Sequence, residues 1–190
     1  KALLLLKKYP DKYRKIVLVK SVTTLEDEEI GFLKGGLDEK MAPFVYSFFS
    51  NFEKIIPKSL VKNLRDAGQI EIMPVAYCRG INFDNCIVII DEAQNLTRKH
   101  IKTLMTRIGY DAKMIFLGDT EQIDLKKEDT SSLKWMIDLY RDFNKIGILE
   151  FSLEDVVRNP IIIELLEIYN NKVSEEETIK EIAKVTKTYL

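Results

Sequence analysis

The chain has 190 residues, 46% of them hydrophobic and 31% charged, the balance of one globular domain with a sizeable core. Lys plus Arg total 29 against 30 for Asp plus Glu, a formal net charge of −1, so only a local basic patch could argue for nucleic-acid binding. Two cysteines and one histidine exclude a disulfide framework and a Cys/His zinc site and fit a reducing cytoplasm. The uncharged stretch at residues 41–52 is well short of the ~20 apolar residues of a membrane span.

In chain order, Lys1-Ala2-Leu3-Leu4-Leu5-Leu6 has no capping residue ahead of it and reads as a helix already under way. It closes near Tyr9-Pro10, because proline disfavours helix in the residue before it. The expectation is a longer protein with residues upstream of Lys1. The apolar run at residues 16–19 predicts a buried strand, and residues 70–73 predict a shorter one. Residues 86–90, unbroken and β-branched, predict a strand covered on both faces. Residues 114–117 predict another of that kind, and residues 147–151 a last one.

Helical patterns lie between these runs. Residues 41–56 place Phe44, Phe48, Phe52 and Ile55 on one stripe, with Val45 and Phe49 beside it. Residues 97–108 carry Ile101, Leu104, Met105 and Ile108 at i, i+3, i+4 and i+7, with Thr97 as N-cap and Gly109 at the stop. Leu133, Met136, Ile137 and Tyr140 repeat the pattern, as does the segment at 160–169, where Pro160 suits a first helical turn. These stripes are expected to form core. Beyond Asn170, Ser174-Glu175-Glu176-Glu177 looks like a capping box and Ile179, Ile182 and Ala183 form a modest stripe. The expected organisation is a domain over 1–170 and a docked or partner-seeking helical extension over 171–190. Strands alternating with helices imply βαβ units and a mainly parallel sheet.

Ligands of parallel sheets bind beyond the carboxyl ends of the strands, so the residues after each apolar run matter most. After Ile90 come Asp91-Glu92-Ala93-Gln94-Asn95, and after Leu117 come Gly118-Asp119-Thr120-Glu121-Gln122. Each run alone has a structural reading, as a helix N-cap or a Gly-Asp turn. Together they would deliver carboxylates and an amide to one sheet edge, the groups that nucleotide hydrolysis needs. Asp91 is then assigned to Mg²⁺ through its water shell, Glu92 to the attacking water and Gln122 to the γ-phosphate.

The Asp91-Glu92-Ala93-Gln94-Asn95 run resembles the D-E-A-Q-N signature of the PhoH family, and Gly118-Asp119-x-x-Gln122-Ile123-Asp124-Leu125 resembles its G-D-x-x-Q-I-D-L signature. Further matches follow in order: Glu29 to Gly35 with E-x-G-F-L-P-G, Glu39-Lys40-Met41-Ala42-Pro43 with E-K-M-A-P, and Ala76-Tyr77-Cys78-Arg79-Gly80 with A-Y-M-R-G. Thr106-Arg107-Ile108-Gly109 is similar to T-R-L-G, and Asp155 to Pro160 to D-V-V-R-H-P. The resemblance covers about residues 15–170.

This resemblance implies an α/β, three-layer RecA-like P-loop NTPase fold, ATP with Mg²⁺ as cofactors, and assembly into a homo-oligomeric ring. It implies a Walker A loop just upstream of Lys1; no G-x-x-x-x-G-K-[ST] occurs in the 190 residues, so the N-terminal strand and P-loop are expected to be absent from this chain. Asp119, Gln94 and Lys20 join Asp91 as candidate nucleotide contacts. The chain departs from the family at Lys20-Ser21-Val22, where T-R-P is usual; the planar Arg fork is lost there, and Lys offers only a point charge. Lys34 stands where the family has Pro, and Ile81-Asn82 where a second Arg is common. Arg107 and Arg158 are candidate arginine fingers for a neighbouring subunit's site, or else surface arginines. Arg98, Lys99, His100 and Lys102 form a basic cluster for RNA or single-stranded DNA, or a solvated face.

Three functions follow as alternatives: an ATPase coupled to nucleic-acid remodelling, a nucleotide-regulated scaffold, or a degenerate subunit that does not hydrolyse.

Overall fold

A computed structural model of the chain describes residues 1–20, 37–120 and 132–152, and residues 155, 157, 159, 161, 162, 164, 165, 168, 169, 171 and 172. The chain divides into two compact units, 1–143 and 144–190.

The first unit is built on four parallel strands, β1 (Lys15–Lys20), β2 (Ile70–Pro74), β3 (Cys86–Asp91) and β4 (Lys113–Phe116), in the order β2-β1-β3-β4. The four apolar runs read from the sequence therefore became these strands. Ile16, Val17, Leu18 and Val19 of β1 are buried consecutively, as are residues 86–90 of β3, because both strands are central and covered on both faces. The edge strands β2 and β4 are only partly buried.

Alternation of side chains across the sheet sorts these residues into two cores. Ile16, Leu18, Ile87 and Ile89 face α1 (Ala2–Lys8), α2 (Leu37–Glu53) and α3 (Lys58–Asp66), where Leu6, Phe52 and Val61 meet them. Val17, Val19, Val88 and Ile90 face the other way, onto Ile101 and Leu104 of α4 (Arg98–Met105) and Leu133 of α5 (Leu133–Tyr140). Each fully buried Ile or Val contributes about 1.5–3 kcal/mol. The result is the expected three-layer α/β/α arrangement, with every described strand parallel.

Helix ends follow local chemistry. α1 stops before Tyr9-Pro10, as its sequence predicts. The Thr97 side chain accepts from His100 N–H while His100 Nδ1 accepts from Thr97 N–H, a reciprocal cap that starts α4. The helix predicted over 41–56 begins at Leu37 and ends at Glu53, so Val45 and Phe52 are buried whereas Ile55 is exposed. α4 likewise ends at Met105, which leaves Ile108 outside the helical stripe and exposed.

In the second unit, the strand expected at 147–151 is not formed, and Leu149 and Phe151 are exposed. No strand is described within that unit for this run to pair with, and an unpaired strand is not stable. Helical turns do occur at the described positions from 161 onward, begun where Asn159 Oδ1 accepts from Ile161 N–H. Their apolar residues Ile161, Leu165 and Ile168 are exposed rather than core.

Cys78 and Cys86 are free and buried, and burial pushes both thiols up from the ordinary 9.0 to about 11. The unfolded chain loses thiol protons above pH 9 while the folded chain retains them, so stability falls as pH rises from 9 towards 11. Ellman's reagent at pH 8 should label neither thiol rapidly in the native protein and both at once in guanidinium. Rapid native labelling would contradict the burial of these residues.

Candidate functional site

The site is assembled where β1, β3 and β4 end together. Register places Lys20, the last residue of β1, directly beside Asp91, the last of β3. Lys20 Nζ donates to Asp91 Oδ2 at 2.7 Å and lies 3.6 Å from Glu92 Oε1. The lysine side chain is only 12% exposed, against 22% for Asp91 and 43% for Glu92.

Successive strand residues point to opposite faces, so Asp91 and Glu92 would diverge if β3 simply continued. Glu92 instead adopts φ 52, ψ 44, the left-handed conformation. For a residue with a Cβ this costs about 1–2 kcal/mol. The turn brings both carboxylates to one ammonium and sends the chain into a 3-10 turn at Ala93–Asn95.

Gln94 holds the arrangement together. Its side chain is 1% exposed; Nε2 donates to Glu92 Oε2 at 2.6 Å, and Oε1 accepts from Asp119 N–H at 3.1 Å. Backbone bonds run parallel to this clamp, from Leu117 N–H to Ile90 O and from Ala93 N–H to Leu117 O, both at 2.8 Å. Gly118 is required by the close approach. A Cβ there would lie 2.7 Å from Gln94 Oε1 and 2.8 Å from Leu133 Cδ2.

Asp91, Glu92, Gln94, Asp119 and Lys20 are thus brought to one edge. Gln122 and Arg158 lie outside the described residues. Arg107 is elsewhere: its carbonyl accepts from Phe83 N–H at 2.8 Å, on the approach to β3. Six residues of strand at ~3.3 Å each separate that end from Asp91, so Arg107 does not serve the site of its own chain. Its Nε is buried without a hydrogen-bond partner, while Nη2 is 3.5 Å from Thr106 Oγ1.

On α4, Lys99 and Lys102 are exposed, and the Arg98 guanidinium lies over the Trp135 ring at 4.7 Å. His100 belongs to the helix cap rather than to a free cationic face. Sequence reasoning missed two features, the Lys20–Asp91 pair and the Gln94 clamp. Aligning the ends of the first and third apolar runs would have revealed the former.

A three-layer parallel α/β sheet with an acidic pair at the end of its buried central strand is of the RecA-like P-loop class. The PhoH-like protein family matches residues 1–170, and the chain belongs to that family. It is 35% identical over 159 residues to the PhoH-like protein of Bacillus subtilis (strain 168), covering 84% of this chain and 50% of that protein. Protein PhoH of Escherichia coli (strain K12) is 36% identical over 146 residues, covering 76% of this chain and 41% of that protein. The PhoH-like protein of Mycobacterium tuberculosis (strain ATCC 25618 / H37Rv) is 35% identical over 142 residues, covering 75% and 40% respectively. The chain spans half or less of the length of these curated relatives. No described helix is long and apolar enough to cross a membrane.

Replacing Gln94 with Leu should destabilise the fold by about 1–3 kcal/mol, since it strips a partner from the Glu92 carboxylate and from Asp119 N–H. Gly118→Ala should cost a similar ~1–3 kcal/mol through overpacking. Urea denaturation checks both, and an unchanged midpoint for either variant would contradict the clamp.

Proposed function

We propose that this chain forms the greater part of a Mg²⁺-dependent ATPase domain whose turnover is coupled to remodelling of RNA or single-stranded DNA. The observation that carries the reading is the convergence of Asp91 and Glu92 at the carboxyl end of β3, beside the Gly118-Asp119 loop at the end of β4.

These residues fit a hydrated magnesium ion. The Asp91 carboxylate is partly exposed at the edge and already attracts a cation, the Lys20 ammonium. Bound with ATP, magnesium would supply neutralisation of phosphate charge. Asp91 would hold it through water. Glu92, fixed by Gln94, orients and polarises the attacking water. Asp119, whose N–H is held by Gln94, would contact the nucleotide in this reading, and Gln122 keeps its assignment as the γ-phosphate sensor. None of the 190 residues matches the pattern of a phosphate-binding loop, so this reading needs that loop to be supplied in addition to them.

The position of Arg107 supports a ring. It lies at the far end of the sheet from Asp91, so as a finger it would act in the site of an adjacent subunit. Arg158 remains the alternative finger. Arg98, Lys99 and Lys102, with Trp135 beside them, supply the cations and aromatic surface that a single strand would use.

The test is hydrolysis by the full-length protein, with and without single-stranded RNA. Glu92→Gln should lower kcat by roughly a hundredfold or more while ATP binding persists, the scale of a lost general-base contribution. RNA stimulation of the parent supports coupling. ATP binding with negligible turnover in the parent would instead favour a nucleotide-regulated scaffold, and no ATP binding would favour a degenerate subunit.

A further inference from the structure

We propose that Lys20 is a built-in counter-ion of the acidic edge, a tethered ammonium that competes with the divalent cation for Asp91. The proposal rests on the reading of Asp91 as the magnesium-holding carboxylate. Its consequence is that the site resists metal alone and loads metal together with nucleotide.

Three observations support it. First, the lysine is placed by the sheet rather than by chance, because β1–β3 register sets Lys20 opposite Asp91. Second, its ammonium is shared between two carboxylates, at 2.7 Å from Asp91 and 3.6 Å from Glu92. Third, its side chain is only 12% exposed, so the pairing occurs where water screens charge incompletely.

Lys15 offers a contrast within the same strand. It engages both oxygens of Glu71, at 3.0 and 2.9 Å, and both partners are about one-third exposed. That is a closed surface pair between two strands, away from the edge where the acidic groups collect. Lys20 leaves each carboxylate with an oxygen for other partners, and for Glu92 that partner is Gln94. Two neighbouring carboxylates repel each other, and one ammonium halves their charge. A divalent cation binding at Asp91 must overcome that ammonium. Lysine suits the role because its charge is compact and its stem flexible, so the head can move aside; a planar guanidinium fork would grip the carboxylate more rigidly.

The experiment is a nucleotide-free titration of the full-length protein with Mn²⁺, with free Mn²⁺ read by electron paramagnetic resonance. It compares the parent, Lys20→Met and Lys20→Arg, each with and without Asp91→Asn. Lys20→Met should bind Mn²⁺ roughly tenfold more tightly, the scale of one partly buried charge pair. Lys20→Arg should bind Mn²⁺ no more tightly than the parent, since the fork holds the carboxylate at least as firmly, and Asp91→Asn should abolish the gain of Lys20→Met. Equal affinity in the parent and Lys20→Met, with Asp91→Asn weakening both, overturns the counter-ion role and leaves Asp91 as the metal group. Mn²⁺ binding indifferent to Asp91→Asn in every background overturns the assignment of Asp91, and the proposal with it. Should Lys20→Met fail to melt cooperatively, Lys20→Gln carries the same comparison, with the same outcomes.

Discussion

Burial of β1 and β3 on both faces is the constraint from which the rest of the first unit follows. A strand covered on both sides can carry no charge in its interior, so Ile16 to Val19 and residues 86–90 are continuously buried. Charge can enter these strands only at their ends. The flanking residues are Lys15 and Lys20 on β1 and Asp91 on β3, so the first polar groups met at the carboxyl edge belong to neighbouring strands in one register. Because a one-residue slip would turn every alternating side chain to the opposite core, that register is strongly specified. The two cores thus fix the geometry of the edge without contributing a chemical group to it.

The edge concentrates negative charge and holds a backbone strain, and both need compensation. The ammonium of Lys20 offsets the repulsion between Asp91 and Glu92, and the Gln94 side chain ties the strained Glu92 to the next loop. Gln94 can do this only because it is itself buried and because Gly118 leaves room for its oxygen. Substituting Lys20, Gln94 or Gly118 would therefore loosen the hold on Glu92. A site held by such mutual constraint is preorganised: the protein itself fixes where the Glu92 carboxylate lies.

Much of this was legible in the sequence, unevenly. The four strands were evident because short apolar runs, β-branched throughout β1 and β3 apart from Leu18 and Cys86, leave few alternatives, and the acidic pair was evident because it follows the unbroken run at 86–90. Helix α3 was not: Leu60, Val61 and Leu64 give it a thin apolar pattern, and only Val61 is fully buried. The run at 147–151 misled because a strand is a property of a pair, and its local sequence does not name the partner. Ile55 and Ile108 were drawn into stripes that the helices do not reach, since helix ends are set by local capping rather than by periodicity. The Gln94 clamp was invisible for a related reason. An amide two residues after a glutamate has no signal of its own until a second loop comes within reach of it.

Position in the sheet also decides how the arginine at 107 can be used. The helix α4 leaves the acidic edge at Thr97 and runs back to the opposite end, so residues at its two termini serve opposite ends of the sheet. Thr106 and Arg107 follow its last turn, near Phe83, and a parallel sheet offers no shortcut back to Asp91. Flexibility of one side chain, a few ångströms of reach, cannot span a six-residue strand at ~3.3 Å per residue. Any role for Arg107 in hydrolysis is therefore necessarily a role in another subunit's site. If copies did assemble through Arg107 as proposed, the acidic end of one would have to meet the Arg107 end of the next, a head-to-tail contact of the kind that closes into rings when its rotation permits.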